Sequence, residues 1–209
     1  MRMTHRTFYA ALLAGLAAVA VACSSSTDPN GGTRPPSGLN IIPLPTGHPA
    51  LYAAKDSFYA VSGEDHEVRL YFRDNQGNPD EEYVRFRVRP NSLRALPDGT
   101  PIQPGDTVKI IITVTQPDSI QFNFEPTGLQ FNPSDPARLR IEYGETNDDL
   151  NNDGVVDQAD TTIEKAAAIW TQHQSGDSYL ELQGNEDHDE TSDEIEVDVL
   201  SFSRFALAY

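Results

Sequence analysis

Between Asp149 and Asp160, oxygen-bearing side chains recur at a spacing that can wrap a cation. Counting Asp149 as position 1, Asn151 stands at 3, Asp153 at 5, Asp157 at 9 and Asp160 at 12, while Gly154 occupies 6 and Val155 offers its carbonyl at 7. Carboxylate, amide and carbonyl oxygens are the ligands a hard cation of calcium size prefers, and the glycine permits the sharp turn that brings them together. The expectation is one calcium ion held by Asp149, Asn151, Asp153, Val155, Asp157 and Asp160, with Val156 at position 8 turned into the core. The competing reading is a solvated acidic hairpin loop.

The second chemically distinctive residue is Cys23, the sole cysteine. Arg2 and Arg6 precede an apolar stretch from Phe8 to Val21, and the segment ends in Ala20-Val21-Ala22-Cys23. A basic start, a short apolar region and small residues before a cut site are the marks of an export signal. The stretch is shorter than the roughly 20 residues needed to span a bilayer. After cleavage a thiol would stand at the new N-terminus, where it can carry a diacylglycerol thioether. An ordinary secretory peptide followed by an incidental cysteine is the alternative.

Two resemblances follow from these residues. Ala20 to Cys23 resembles the lipobox of bacterial lipoproteins, with Ala20 where leucine is commoner; it implies lipidation of Cys23 and attachment to a membrane. Ser24 after the lipidated residue implies sorting to the outer membrane of a Gram-negative envelope. The loop at 149–160 resembles an EF-hand loop of the dockerin kind, in which aspartate at position 12 is common. It departs from that pattern in lacking a second copy of the loop, and the strand Leu139 to Tyr143 is expected where an incoming helix would stand. A cohesin-binding role is therefore not expected.

The elements that must position these residues are strands. Val68, Leu70 and Phe72 alternate with Glu67, Arg69, Tyr71 and Arg73; Val84, Phe86 and Val88 alternate with Arg85, Arg87 and Arg89. Val108, Ile110, Ile112 and Val114 follow the same rule, as do Ile195, Val197 and Val199. Period two is the signature of strands with one buried and one wet face. Turn chemistry separates them at Asp74 to Pro79, Pro97-Asp98-Gly99, Pro104-Gly105-Asp106, Pro117-Asp118 and Pro133 to Pro136. The expected fold is all-β, an antiparallel β-sandwich of about nine or ten strands, with one short helix over Thr161 to Ala168. Residues 1–22 form the leader, 23–38 the lipidated cysteine and a disordered linker, and 39–209 the sandwich. The linker is rich in Ser, Gly and Pro and, extended, reaches on the order of 50 Å.

The second half resembles the ZU5 domain and its bacterial relatives. The motifs are Phe124 to Phe131, Pro136 to Tyr143, Ile169-Trp170 and Phe202 to Tyr209, with coverage over about residues 84–209. The resemblance implies a β-sandwich with a scaffolding or interaction role and no catalysis. Some members cleave themselves at a His-Phe-Ser site; the corresponding triplet is Ser201-Phe202-Ser203, without the base, so self-cleavage is not expected and Phe202 and Phe205 are read as core aromatics.

Composition narrows the function further. The 209 residues carry a net charge of −17; removal of the leader takes Arg2 and Arg6 and leaves −19, a surface that repels phosphate backbones. Nucleic acid is thus not an expected partner, and the expected ligands are a membrane, reached through the lipid, and a protein or glycan. The run Asn185 to Glu194 lacks the loop register and reads as a wet hairpin tip. His48, His66, His173 and His188 have no zinc-ligand spacing. Phosphate-cradling glycine loops and nucleophile motifs are absent. Tyr52, Tyr59, Tyr71 and Tyr179 are candidates for a sugar platform, with strand-surface or core packing as the commoner fate. The expectation is a non-enzymatic envelope lipoprotein with a calcium-stabilised binding module; the alternative is a polysaccharide-binding accessory unit or hydrolase.

Overall fold

Apolar residues at every second position are buried together only when alternate side chains leave opposite faces of an extended chain. The computed structural model describes residues 33–151, 153–172, 178–182, 187–189 and 192–209. The expected leader, Cys23, His173 and the first part of the linker lie outside the described residues. In chain order the strands are β1 (Thr33–Arg34), β2 (Lys55–Val61), β3 (His66–Arg73), β4 (Pro79–Val88), β5 (Leu93–Ala95), β6 (Thr107–Val114) and β7 (Gln121–Glu125). There follow β8 (Gln130–Phe131), β9 (Ala137–Glu142), helix α1 (Gln158–Ala166), β10 (Ala168–Gln172), β11 (Tyr179–Glu181), β12 (Asp187–Asp189), β13 (Glu194–Val199) and β14 (Arg204–Ala208).

These strands make an antiparallel β-sandwich. One sheet runs β1-β11-β10-β14-β7-β6-β2, the other β12-β13-β9-β4-β3, and β5 with β8 forms a small ribbon at one end. The sequence expectation of nine or ten strands counted the long alternating stretches; the additional ones are two- and three-residue pairings such as β1, β8 and β12.

Between the sheets the alternation closes as read. Val68, Leu70 and Phe72 of β3 and Val84, Phe86 and Val88 of β4 are buried against Ile110 and Ile112 of β6 and Phe122 and Phe124 of β7. Ring centroids of Phe86 and Phe124 lie 5.1 Å apart, and those of Tyr83 and Phe122 5.2 Å, within the range in which aromatic pairs add to simple burial. Phe202, in the segment before β14, sits 5.1 Å from Phe86, 5.1 Å from Phe124 and 5.0 Å from Phe131. Phe202 and Phe205 are therefore core aromatics, and the Ser203 hydroxyl is engaged with Thr171 Oγ1.

At the end of β7 the chain turns through a cis Glu125–Pro126 bond to Gly128, whose φ of +87° lies in the left-handed region. A Cβ there would meet Pro97 at 3.4 Å, an ordinary contact, so it is the conformation that favours glycine.

The segment expected to continue the flexible linker to Gly38 is laid on the sheet from Thr33 onward. Thr33 and Arg34 pair with Leu180 and Tyr179 of β11, and the Arg34 guanidinium lies 4.9 Å from the centre of the Trp170 ring. After a 3-10 turn at Pro36–Gly38, Asn40 exchanges backbone hydrogen bonds with Tyr209, and Ile42 donates to Leu207. Leu39 and Ile41 pack on Trp170, Tyr179, Ala168, Ala206 and Ala208. This stretch is a strap over the outer face of the seven-stranded sheet, and the alanines beneath leave room for it.

Candidate metal centre

The loop 149–160 leaves β9 and runs into α1, so a strand stands on its incoming side and a helix on its outgoing side, as the apolar alternation at Leu139 to Tyr143 implied. The helix begins at Gln158, earlier than the Thr161 expected from sequence, because Asp157 caps it. Asp157 Oδ1 accepts from the Ala159 N–H at 2.7 Å, and the Asp160 carboxylate reaches back to the Asp157 N–H at 2.8 Å, a reciprocal capping box.

Asp160 is the loop's anchor. Only 3% exposed, it accepts the Asn151 N–H on Oδ1 at 3.1 Å and the Asp157 N–H on Oδ2 at 2.8 Å, tying the first turn of the loop to the last. The Asp157 N–H, aided by that of Asn151, holds this carboxyl below the usual carboxylate range. Asp149 accepts Asp153 N–H on Oδ1 at 3.0 Å and Gly154 N–H on Oδ2 at 2.8 Å, while Asn151 Oδ1 accepts Asp153 N–H at 2.8 Å and Asp153 Oδ1 accepts Val155 N–H at 2.9 Å. Gly154 has φ of +88°, as position 6 of such a loop requires. The loop is also fastened from outside: Leu150 packs against the main core, and the Tyr209 hydroxyl donates to the Leu150 carbonyl at 3.2 Å.

The donor set is made of hard oxygens only, which fits calcium and not a soft metal. Among the described residues no three His, Cys, Asp or Glu side chains converge on one metal-binding point. In this conformation the carboxylates are turned onto backbone N–H groups, and each oxygen retains a second lone pair for a cation.

Val156 departs from expectation: it is 64% exposed and does not enter the core. Val156 instead edges a cavity of about 180 Å³ between the loop, α1 and the β12–β13 turn, into which Asp148, Glu164 and Asp193 also face. Asp193 adopts φ of +52°, and its carboxyl is raised by burial first and then by the charges of Asp148 and Asp189. Nearby, Tyr143 Oη and His188 Nε2 are hydrogen-bonded at 2.7 Å.

Other candidates scatter. The acidic run 185–194 lies partly outside the described residues; its described part pairs as the β12–β13 hairpin. Tyr179 is buried and Tyr71 half-buried; only Tyr59, on β2, and Tyr52, in the bend before it, are well exposed, so at most two of the four tyrosines present an open ring. A pair that composition hid is Glu81 with Glu145: a hydrogen bond between them, then partial desolvation of a largely exposed side chain and the charges of Glu145, Glu142 and Asp80, pushes the Glu81 carboxyl up to about 7. Sequence gives no signal for it, since 64 residues separate the two in a chain with 32 carboxylates.

Comparison with family models, with curated proteins and with solved structures returns no match to this chain.

Proposed function

We propose that this chain is a non-enzymatic, membrane-anchored envelope lipoprotein whose β-sandwich is a calcium-stabilised binding or scaffolding module. The observation that carries the reading is the loop 149–160, where six oxygen donors in register, a left-handed Gly154 and an outgoing helix capped by Asp157 coincide. The export signal ending at Cys23, the likeness to ZU5 domains over about residues 84–209 and the absence of a nucleophile motif in the sequence support the remaining parts. Outer-membrane placement rests on Ser24.

The test is calorimetric titration of the chelator-stripped protein with calcium. Saturable binding of one ion, lost in Asp149→Ala and Asp153→Ala, is the expected result; no binding heat overturns the calcium reading. Anchoring is tested separately by labelling cells with palmitate, which Cys23→Ala must abolish.

A hydrolase reading draws on one observation, the raised carboxyl of Glu81, since catalytic acids are tuned in this way. Two carboxyls close enough to share a hydrogen bond are nearer than the roughly 5 Å or more that sugar hydrolysis by paired carboxylates uses. That geometry favours a proton-sharing pair.

A further inference from the structure

Both ends of the loop 149–160 reach the strap that crosses the seven-stranded sheet. On the incoming side the Tyr209 hydroxyl donates to the Leu150 carbonyl at 3.2 Å. The backbone of the same tyrosine exchanges two hydrogen bonds with Asn40: the Asn40 N–H donates to the Tyr209 carbonyl at 3.2 Å, and the Tyr209 N–H donates to the Asn40 carbonyl at 3.1 Å. Leu150 and Tyr209 also both pack against the main core. One residue therefore holds the loop with its side chain and the strap with its main chain.

On the outgoing side α1 ends at Ala166 and β10 opens at Ala168. Ala168 and Trp170 belong to the cluster in which Leu39 of the strap is buried. Their strand is fixed by its ladder to β14, Ala168 opposite Ala208 and Trp170 opposite Ala206, and the Trp170 Nε1–H donates to the Ala208 carbonyl at 3.2 Å. This side is a rigid seat. The Tyr209–Leu150 bond differs, because it joins a side chain to a loop carbonyl and can be made or broken without disturbing any strand pairing. The strap is the element able to respond: Thr33 to Gly38 contributes no buried side chain, and its hold on the sheet edge is the two-residue pairing with β11 and the Arg34 contact with Trp170. Segments with so few buried contacts open locally, well below the free energy of global unfolding.

We propose that Tyr209 is a latch that couples the order of the loop 149–160 to the docking of the strap, with calcium as the ligand that sets it. An ion held by the loop steadies the Leu150 carbonyl beneath the Tyr209 hydroxyl, and Tyr209 in turn keeps Asn40 paired. Coupling of this kind is a contiguous chain of contacts ending on an element with two arrangements, docked and released. The strap lies between Cys23 and the sandwich, so occupancy of the loop sets how firmly the domain grips its own tether. The choice of calcium as effector rests on the calcium reading above; the latch itself depends only on how well the loop is ordered.

The test follows hydrogen exchange of the Asn40 amide in the full chain in detergent micelles, in excess chelator and in saturating calcium, beside a calorimetric calcium titration. Protection of Asn40 should rise about fivefold with calcium, the ratio set by one hydrogen bond of ordinary net strength. Tyr209→Phe keeps the ring and removes the hydroxyl; it should still bind calcium but lose the rise. A second comparison uses no calcium. Asp160→Asn leaves one oxygen to serve the Asn151 and Asp157 N–H groups, and in chelator it should lower Asn40 protection in the parent and not in the Tyr209→Phe background. Calcium binding that leaves Asn40 unchanged, a rise that survives Tyr209→Phe, or an Asp160→Asn effect of equal size in both backgrounds overturns the latch. Absence of binding heat overturns the calcium reading instead, and the Asp160→Asn comparison then decides the latch alone.

Discussion

Adding calcium to the chelator-stripped protein should raise its melting midpoint modestly, and the structure explains why the gain is small. The loop is braced by its own hydrogen bonds: Asp160 bridges Asn151 and Asp157, Asp149 bridges Asp153 and Gly154, and Tyr209 pins Leu150. On the proposed reading a cation adds to a turn that side-chain hydrogen bonds already brace, and the expected affinity is that of extracellular modules, about 10⁻⁴ to 10⁻³ M. For a dissociation constant near 0.1 mM, 1 mM calcium contributes about 1.4 kcal/mol. In a domain of this size that corresponds to a rise of about 3 to 5 °C. Scanning calorimetry in excess chelator and in 1 mM calcium measures it, and hydrogen exchange should locate the added protection in residues 147–166. Asp153→Ala, whose side chain is exposed and serves one N–H, should melt near the parent in chelator and lose the calcium increment. Asp160→Ala should melt lower even in chelator, because it also removes the capping box. A midpoint indifferent to calcium, or a rise that survives Asp153→Ala, would refute the reasoning.

Three further outcomes follow from the geometry. Phe202→Ala empties the centre of an aromatic cluster and should cost about 3 to 5 kcal/mol, read as a lower urea midpoint at unchanged slope. Because Glu81 is held at about 7 against an ordinary 4.5, the native state binds that proton more tightly than the unfolded chain, so stability should fall as pH rises between those values. Glu81→Gln should flatten this slope, seen by comparing melting midpoints at pH 5 and pH 8; Glu81 is exposed, so the change is small. Gly154→Ala forces a Cβ into a left-handed turn at a cost of about 1 kcal/mol, and should lower both the midpoint in chelator and the affinity for calcium.

The long strands were legible because burial on one face leaves a period-two record: Val84, Phe86 and Val88 could be assigned to the core from sequence, and they are buried. The strap was not. Thr33 to Gly38 has no apolar residue, and what docks it is backbone pairing with β11 and a guanidinium over Trp170, neither of which leaves a periodic trace. The helix start was obscured because Asp157 and Asp160 read equally well as ligands and as a capping box. Position 8 of the loop pointed Val156 into the core, but loop register does not encode which way that side chain turns, and it is exposed. The alternating arginines of β4 were visible as a wet face, but their alignment with Arg138 and Arg140 depends on cross-strand register, which no local pattern encodes.

The strap also decides how the molecule responds to tension. A pull on Thr33 meets first the two-residue pairing with β11 and the contact of Arg34 with Trp170, and only later the Asn40–Tyr209 and Ile42–Leu207 bonds rooted in the main sheet. The early contacts are few and peripheral, so they yield as a fuse. Releasing residues 33–39 pays out about 24 Å of chain while the sandwich stays intact. The same release uncovers the only tryptophan in the chain, which makes its fluorescence a built-in gauge of load.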